Sequence, residues 1–234
     1  MKPDISVIIP ALNEQKYIRY PLSGLKAQTF KNFEVIVVDG GSEDDTADIA
    51  KKSARVIVCR KRGAGVARNM GAEKAKGSIL VFIDADTRPS SRLLEAYMAA
   101  FLDSSTVAAT GPILPLEKAG RRIKAGYWIV SVAFVRLSII FNRPSIVGSN
   151  FAVRSAAFRK AGGFNEKFIT YEDWDLSNRL GRFGRVRYES RARVRTSARR
   201  VIAWGLLGYT LFYAINMFMY HVLRKSKSDY KSIR

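Results

Sequence analysis

The first 93 residues alternate between short apolar runs and amphipathic stretches. Runs of Val, Ile, Leu and Phe that close at turn-forming or polar residues are typical of buried β-strands. Four such runs predict strands at residues 5–10, 33–39, 56–58 and 79–83. The stretches between them predict helices at about residues 14–28, 45–53 and 66–76. Apolar strands that alternate with helices predict an α/β fold with a mostly parallel sheet, covered by helices on both faces.

The alternation weakens after residue 93. The pattern predicts a helix up to about residue 102 and a strand near residues 107–111. An apolar segment follows at residues 125–141, interrupted by Arg136. Its length of about 17 residues is short for a bilayer span, so a helix in the core or on the surface is expected there.

Residues 201–223 contain no Asp, Glu, Lys or Arg, and basic residues flank them on both sides. A stretch of this length is long enough to cross a bilayer, and its Trp and Tyr residues suit a membrane interface. A helix that completes the core or pairs two chains, as in a homodimer, is the alternative. The expected organisation is an α/β domain at residues 1–200, followed by a membrane-associated apolar helix and basic tail at residues 201–234.

The formal net charge of +20 is distributed unevenly along the chain. Residues 1–117 carry 16 basic and 14 acidic side chains, whereas residues 118–234 carry 24 basic and six acidic ones. A basic surface built from the second half favours an anionic partner, which is a membrane, a nucleic acid or a phosphorylated substrate. A merely solvated basic surface is the alternative.

The single cysteine, Cys59, excludes an intramolecular disulfide and a cysteine cluster for zinc or an iron–sulfur centre. It is expected to be a small core residue. The amino-terminal run lacks the long apolar core and cleavage site of a signal peptide, so the domain at residues 1–200 is expected on the cytoplasmic side of the membrane.

The pair Asp84 and Asp86 follows the most apolar of the predicted strands. Because side chains alternate along a strand, two carboxylates two residues apart can converge on one cation where the strand opens into a loop. Mg²⁺ or Mn²⁺ held there would neutralise a diphosphate. By itself the Asp-X-Asp pattern also fits a solvated turn.

Two further residues are candidates at the same edge of the sheet. Asp39 ends a strand and precedes two glycines, which allow close approach of a ligand, although Asp is also ordinary near a helix N-terminus. Gly63 and Gly65 form a lone Gly-X-Gly, which is poor evidence for a dinucleotide site without a third glycine. We expect a loop there that places Arg68 towards the site.

Seven short motifs together resemble one family. They are PALNE at 10–14, VVDGGSEDDT at 38–46, GAGVARNMG at 63–71, DAD at 84–86, GSN at 148–150, GGF at 162–164 and YEDWDL at 171–176. Their order and spacing over residues 4–200 resemble the inverting GT-A glycosyltransferases of glycosyltransferase family 2, which includes cellulose, chitin and dolichyl-phosphate-mannose synthases. The resemblance implies a Rossmann-like GT-A fold with a nucleotide-binding half at 1–117 and an acceptor half at 118–200.

The resemblance also implies roles for individual residues. The donor nucleotide would be bound by Pro10, Ala11, Asn13, Glu14, Asp39, Arg68, Asp84 and Ala85. Asp86 would bind the metal at the diphosphate, and Asp173 would be the general base. The acceptor side would comprise Gly148, Ser149, Asn150, Glu172 and Trp174.

The chemistry of Asp173 agrees with the implied role. Inversion at an anomeric carbon needs one base that takes the proton of the acceptor hydroxyl, and a carboxylate within hydrogen-bond reach suffices. Glu172, Asp173 and Asp175 cluster in a half of the chain that is poor in acids. Acids placed against a helix macrodipole are the alternative, and Asp175 is expected to be structural.

The sequence departs from the polymer synthases of this family. Their Gln-X-X-Arg-Trp motif is absent, and residues 196–200 read TSARR instead, which resembles smaller, non-processive members. Arg199 and Arg200 are candidates for binding a diphosphate or a lipid phosphate. A basic flank of a membrane helix is an equally good explanation.

The sequence therefore predicts an inverting, metal-dependent transfer from a UDP- or GDP-sugar to a lipid-linked, glycan or other membrane-proximal acceptor. Polyprenyl phosphate is an alternative acceptor that would not need Asp173 as a base. A nucleic-acid-binding protein would explain the charge but not the acids at three strand ends, so no nucleic-acid partner is expected. A nucleotidyltransferase would be expected to have a glycine-rich loop after the first strand, where this chain has PALNE.

Overall fold

A computed structural model describes residues 2–117, 120–141, 143–205, 208–209, 211–212 and 215. Most of the apolar helix predicted at residues 201–223 lies outside these residues. Helical backbone covers residues 199–205.

The described chain contains two β-sheets. The strands are β1 (Ile5–Ala11), β2 (Phe33–Asp39), β3 (Arg55–Val58), β4 (Ile79–Ile83), β5 (Thr87–Pro89), β6 (Thr106–Thr110), β7 (Ile113–Pro115), β8 (Asn150–Arg154), β9 (Arg185–Tyr188) and β10 (Val194–Thr196). The large sheet has the order β3-β2-β1-β4-β8-β6-β9, and the small sheet has the order β5-β10-β7. In the large sheet β8 is antiparallel to both of its neighbours, and the other pairings are parallel. The predicted mostly parallel sheet is confirmed.

Helices cover the large sheet. They are α1 (Arg19–Lys26), α2 (Thr46–Lys51), α3 (Ala64–Lys74), α4 (Leu93–Ala100), α5 (Arg121–Trp128), α6 (Val135–Ile140), α7 (Ser155–Lys160) and α8 (Glu172–Leu180). A π-helical segment at Ile129–Phe134 joins α5 to α6.

The core consists of two apolar clusters. In β1, Val7 and Ile9 belong to one cluster and Ile8 to the other, because side chains alternate between the two faces of a strand. In the second cluster Phe82 stacks on Phe151 and meets Phe164 edge-on. Both faces of the sheet are therefore buried, as continuous apolar strands require.

Two predicted helix starts differ from the observed ones. The first helix begins at Arg19 instead of residue 14, and Pro21 lies in its first turn, where its missing N–H has no intrahelical partner to lose. The third helix begins at Ala64, so Gly65 and Arg68 are helical. The helix therefore starts two residues before the predicted residue 66, and Arg68 lies in it as the predicted helix over residues 66–76 required.

The segment Arg121–Ile140 forms one helical run, which we call the surface helix. In the described part of the chain it is the one helix that is long and apolar enough, by length and composition, to cross a membrane. Only 18% of its most apolar stretch is buried. The predicted helix is confirmed, and it lies on the surface.

The small sheet brings residues 194–200 to the first half of the fold. Its central strand, β10, pairs Thr196 with Thr87 of β5 and with Pro115 of β7. The backbone N–H of Ser197 donates a hydrogen bond to the carbonyl of Asp86 at 3.2 Å. Residues 196–200 therefore lie beside the loop that follows β4.

Candidate active site

The carboxyl ends of β1, β2 and β4 meet at one edge of the large sheet, where ligands bind in open α/β folds. β1 ends at Ala11, which pairs with Asp39 at the end of β2. β4 ends at Ile83, immediately before Asp84. The residues predicted for donor binding are thus brought to one edge, with Pro10 and Ala11 as strand residues and Ala85 as a buried residue of the following turn.

Asp39 organises the loop that follows β2. Its buried carboxylate accepts hydrogen bonds from the backbone N–H groups of Gly41 and Ser42 and from the Ser42 hydroxyl. Asn13, which has a left-handed backbone (φ 53°), donates its N–H to the Ser42 oxygen at 2.8 Å. The Asn13 side chain accepts the N–H of Glu43. Asp39 and Asn13 therefore hold the loops after β1 and β2 together.

Arg68 connects the two halves of the fold. Its guanidinium donates to Asp84 and to Glu172, both at 2.8 Å, and lies over the Phe164 ring. Its side chain is 4% exposed. A buried cation thus links a carboxylate at the end of β4 to one in the first turn of α8.

Asp173 lies in the first turn of α8, beside Glu172. Its carboxylate accepts the backbone N–H of Gly148 at 2.9 Å and its neighbour Trp174's N–H at 2.8 Å. Burial raises the pKa of Asp173, and these hydrogen bonds and the Arg68 charge oppose the increase. A Cβ on Gly148 would lie 3.3 Å from the Asp173 oxygen and 3.1 Å from Arg68, so a glycine permits this close approach.

Asp86 lies beside the small sheet, directly before β5. Its carboxylate accepts the Thr196 hydroxyl at 3.2 Å and pairs with Arg199 at 3.2 Å. Arg199 also makes two hydrogen bonds to Glu14, at 2.5 and 2.8 Å, and lies over the Tyr17 ring. The pKa of Asp86 is raised to about 6: burial is the main cause, Asp84 and Glu14 contribute, and Arg199 and Arg200 oppose the increase.

Three predicted acceptor-side residues have different environments. Asn150 is fully buried: its side chain accepts the Tyr97 hydroxyl and donates to the Ala192 carbonyl. Ser149 is also buried. Trp174 is half-buried and has ring contacts with Tyr171 and with Phe134 of the surface helix. The structure therefore brings Gly148 and Trp174 beside Asp173, while the Asn150 side chain points into the core.

A family comparison decides the class of the protein. The model of the family described as Glycosyl transferase family 2 matches residues 6–162, about two thirds of the chain. The chain belongs to glycosyl transferase family 2. Relatives that the chain resembles are named as glycosyltransferases.

Two curated glycosyltransferases are similar to this chain in sequence. The glycosyltransferase AglE of Haloferax volcanii is 36% identical over 118 residues, which are 47% of this chain and 37% of that protein. The PGL/p-HBAD biosynthesis glycosyltransferase of Mycobacterium tuberculosis is 31% identical over 186 residues, 76% of this chain and 69% of that protein. The chain thus spans about a third of the first relative and about two thirds of the second.

Two solved structures share the fold. S. aureus TarS matches with a TM-score of 0.68 at 21% identity, over 92% of this chain and 39% of that one. The mannosyltransferase PcManGT from Pyrobaculum calidifontis, solved with GDP-Man and Mn²⁺, matches with a TM-score of 0.66 at 19% identity, over 98% of this chain and 66% of that one. The GT-A-like fold of this family 2 member is thereby shown.

The carboxylates of the site fit a divalent metal that also binds phosphate oxygens. Among the described residues no cluster of three or more His, Cys, Asp or Glu side chains forms a cage for a metal. Mg²⁺ is usually bound by one or two carboxylates together with phosphate oxygens, and Asp84 and Asp86 supply carboxylates of that kind. The raised pKa of Asp86 indicates a carboxylate that a further cation would stabilise.

Sequence reasoning missed two residues that build the family 2 site. Glu117 accepts the Ser197 hydroxyl and the N–H of Ala198, which fixes the chain at the start of the helix that bears Arg199 and Arg200. Tyr17 lies beneath Arg199. Both contacts join residues far apart in sequence, and no local pattern indicates them. For Glu117 the sequence offers one signal: an apolar run ends at this acid, as the predicted strands of the first half end at acids.

Proposed function

We propose that the protein transfers a sugar, with inversion at the anomeric carbon, from a UDP- or GDP-sugar to a lipid-linked or membrane-proximal hydroxyl. The observation that carries this proposal is the ion-pair chain Asp84–Arg68–Glu172, which joins a strand-end acid to the residue next to Asp173. Inverting transfer to a hydroxyl needs a base on the acceptor side, and carboxylates on the donor side can hold a metal at the diphosphate.

Asp173 is the proposed general base. Its carboxylate takes the proton of the acceptor hydroxyl while the hydroxyl oxygen attacks the anomeric carbon and the nucleoside diphosphate leaves. The N–H groups of Gly148 and Trp174 fix the orientation of the carboxylate. Its raised pKa makes it a stronger base than an exposed aspartate.

Residues 1–117 are the proposed donor half. A solved TarS complex contains UDP-GlcNAc and the PcManGT complex contains GDP-Man and Mn²⁺, which supports a nucleotide-sugar donor here. Asp84 and Asp86 are the residues that would hold Mn²⁺ or Mg²⁺. When bound, such a cation supplies Lewis-acid stabilisation of the diphosphate leaving group. Glu14 and Arg199 border the same space and limit where the diphosphate can lie.

Residues 118–200 are the proposed acceptor half, and residues 201–234 the membrane-associated tail, at the cytoplasmic face of the membrane. The basic second half of the chain supports an anionic membrane as the place of action.

The test is calorimetric titration of UDP- and GDP-sugars, with and without Mn²⁺, into the wild type, Asp86→Ala and the control Asp48→Ala. Asp48 is an exposed acid of α2 paired with Lys51. We expect one nucleotide class to bind, more tightly with Mn²⁺ in the wild type and the control, and without this enhancement in Asp86→Ala. Absence of binding by every donor with metal present would contradict the proposed function. Equal enhancement in Asp86→Ala would contradict the role of Asp86 alone.

Polyprenyl phosphate is a second candidate acceptor. The observation that favours it is the run of nine arginines against one acid, Glu189, between Leu176 and Arg200. Such a surface suits a phosphate. A phosphate oxygen is already ionised, so transfer to it would survive in Asp173→Asn, whereas transfer to a hydroxyl would be lost.

A further inference from the structure

The surface helix, Arg121–Ile140, turns small polar side chains towards the protein. Ser131 and Ser138 are buried together with Val135. The Ser131 hydroxyl is within hydrogen-bond distance of both the N–H and the carbonyl of Ile113, and the Ser138 hydroxyl donates to the Val135 carbonyl. Tyr127 and Ile139 pack against the core on the same side, so the inward face of the helix mixes serines with apolar side chains.

Five large apolar side chains of this helix, together with Phe141 directly after it, are exposed. They are Trp128 (58% exposed), Ile129 (55%), Phe134 (40%), Leu137 (51%), Ile140 (73%) and Phe141 (72%). Isolated exposed apolar residues are ordinary on protein surfaces, but six within residues 128–141 form an apolar patch that indicates an interaction surface.

The charge around this patch selects the partner. Between Glu117 and Glu166 the sequence has nine Lys or Arg residues and no Asp or Glu. Arg121, Arg122 and Lys124 are exposed in the first turn of the helix. A partner that covers this patch must therefore be both apolar and anionic. A bilayer with anionic lipids combines the two, whereas a second copy of the chain would bring basic residues against basic residues.

The hydrogen bonds of the helix decide how it meets the bilayer. Tyr127 donates its hydroxyl to the carbonyl of Ser197, and Ser131 bonds to Ile113. A helix held to the protein along one face cannot be surrounded by lipid. It can lie in the plane of the interface, with its apolar face among the acyl chains and its basic end at the headgroups.

The helix also borders the acceptor side of the site. The Phe134 ring lies 5.6 Å from the Trp174 ring, and Trp174 adjoins Asp173. We propose that the surface helix is an interfacial anchor that binds an anionic bilayer and holds the acceptor side of the site at headgroup level. This orientation rests on the proposed function, since it names the bilayer as the source of the acceptor. The anchor is distinct from the apolar tail beyond residue 201.

The test uses the full chain with Cys59→Ala and one new cysteine, Leu137→Cys, that carries an environment-sensitive fluorophore. The matched control is Leu102→Cys, because Leu102 is 84% exposed and precedes β6, at the opposite edge of the large sheet from the site. Vesicles of phosphatidylcholine, with and without phosphatidylglycerol, are then added. We expect a blue shift at position 137 with the anionic vesicles and none at position 102.

Vesicle cosedimentation of Ile140→Glu and the control Leu102→Glu gives a second readout. In the proposed anchor the Ile140 side chain is buried in the bilayer. Its replacement is expected to reduce the partition coefficient of Ile140→Glu about tenfold, whereas the partition coefficient of the control should not change. Thermal unfolding of both variants establishes that they are folded.

Two results would overturn the proposal. One is vesicle-bound protein with unchanged emission at position 137, which would mean that another segment docks. The other is a blue shift without vesicles that grows with protein concentration, which would mean that a second copy covers the patch. Donor titrations in the absence of vesicles test the proposed function separately. Donor binding by a protein whose position 137 does not respond to vesicles would contradict the anchor alone. A response at position 137 without donor binding would contradict the proposed function alone.

Discussion

The carboxylate of Glu172 is the most strongly perturbed acid that pairs with Arg68. Its pKa is raised from 4.5 to about 7: burial is the main cause, the neighbouring Asp173 contributes, and Arg68 opposes the increase. A carboxyl group whose pKa is higher in the folded than in the unfolded protein favours folding while it is protonated. Its stabilising contribution is therefore complete below pH 4.5 and is lost as the pH rises through about 7.

This linkage predicts a pH-dependent difference between the wild type and Glu172→Gln. Over the window from pH 4.5 to about 7 the free energy of unfolding of the wild type should fall relative to that of the variant. A shift of this size corresponds to about 3 kcal/mol. Urea unfolding of both proteins at several pH values in this window measures the difference. A difference that stays constant with pH would show that Glu172 ionises normally.

Replacement of Asp173 is expected to affect the rate of transfer and not the affinity for the donor. Since its carboxylate bonds to two backbone N–H groups on the acceptor side, Asp173→Asn should leave donor affinity nearly unchanged. Loss of the base should reduce kcat for transfer to a hydroxyl by roughly 10²–10⁴-fold. Calorimetry and initial rates measure the two effects. Asp175→Asn is the control, because Asp175 pairs with Arg179 on the same helix; normal turnover by Asp173→Asn would refute the assignment of the base.

At the scale of elements, α3 is the helix that carries Arg68, and Gly71 sets how closely it packs on the sheet. A Cβ at Gly71 would lie 2.5 Å from Ile8 and 3.1 Å from Val38. Gly71→Ala should therefore destabilise the protein by about 1–3 kcal/mol, despite the better helix propensity of alanine.

Denaturant unfolding measures this effect. Gly120→Ala is the matched control, because no atom lies within 4 Å of a Cβ at that position. Weaker donor binding by Gly71→Ala would further indicate that α3 positions Arg68. Equal stability of Gly71→Ala and the wild type would show that the helix moves away from the sheet at little cost.

The elements differ in how far the sequence determines them. The apolar runs predicted β1, β2 and β4 closely, because strands buried on both faces leave a continuous signal. Helix starts were less accurate, since they depend on turn geometry such as that before Pro21. The outward-facing side chains of the surface helix could not be predicted, because its apolar pattern is the same for a buried and an exposed helix.

The site shows the same limit. Asp39, Asp84 and Asp86 were predicted from their positions at strand ends, and the structure places them at one edge of the sheet. The contact of Arg199 with Glu14 joins residues 185 positions apart and follows only from the pairing of β10 with β5 and β7. Local patterns indicate which residue types are available, whereas the topology decides which of them meet.

At the scale of the whole molecule, the charge is concentrated in the half that carries the surface helix. Residues 118–234 have 24 basic and six acidic side chains. Attraction of this half to an anionic membrane is screened by salt over about 10 Å at 0.1 M ionic strength. Binding to vesicles that contain phosphatidylglycerol should therefore weaken steeply as salt is added.

Cosedimentation across a salt series measures this dependence, and vesicles of phosphatidylcholine alone are the control. The weaker binding to the neutral vesicles should change little with salt, since it depends on apolar burial. Salt-independent binding to both kinds of vesicle would contradict a contribution from the basic half.

The antiparallel strand β8 has a consequence for how the protein is made. It covers the outer edge of β4, with Asn150 opposite Ile83, yet it is synthesised long after β4 has left the ribosome. Until then β4 presents unpaired backbone groups and apolar side chains, a combination that invites aggregation. Chimeras that join the first 117 residues to a foreign acceptor half must therefore supply a strand that fits this edge, or the nascent protein will need a chaperone to shield it.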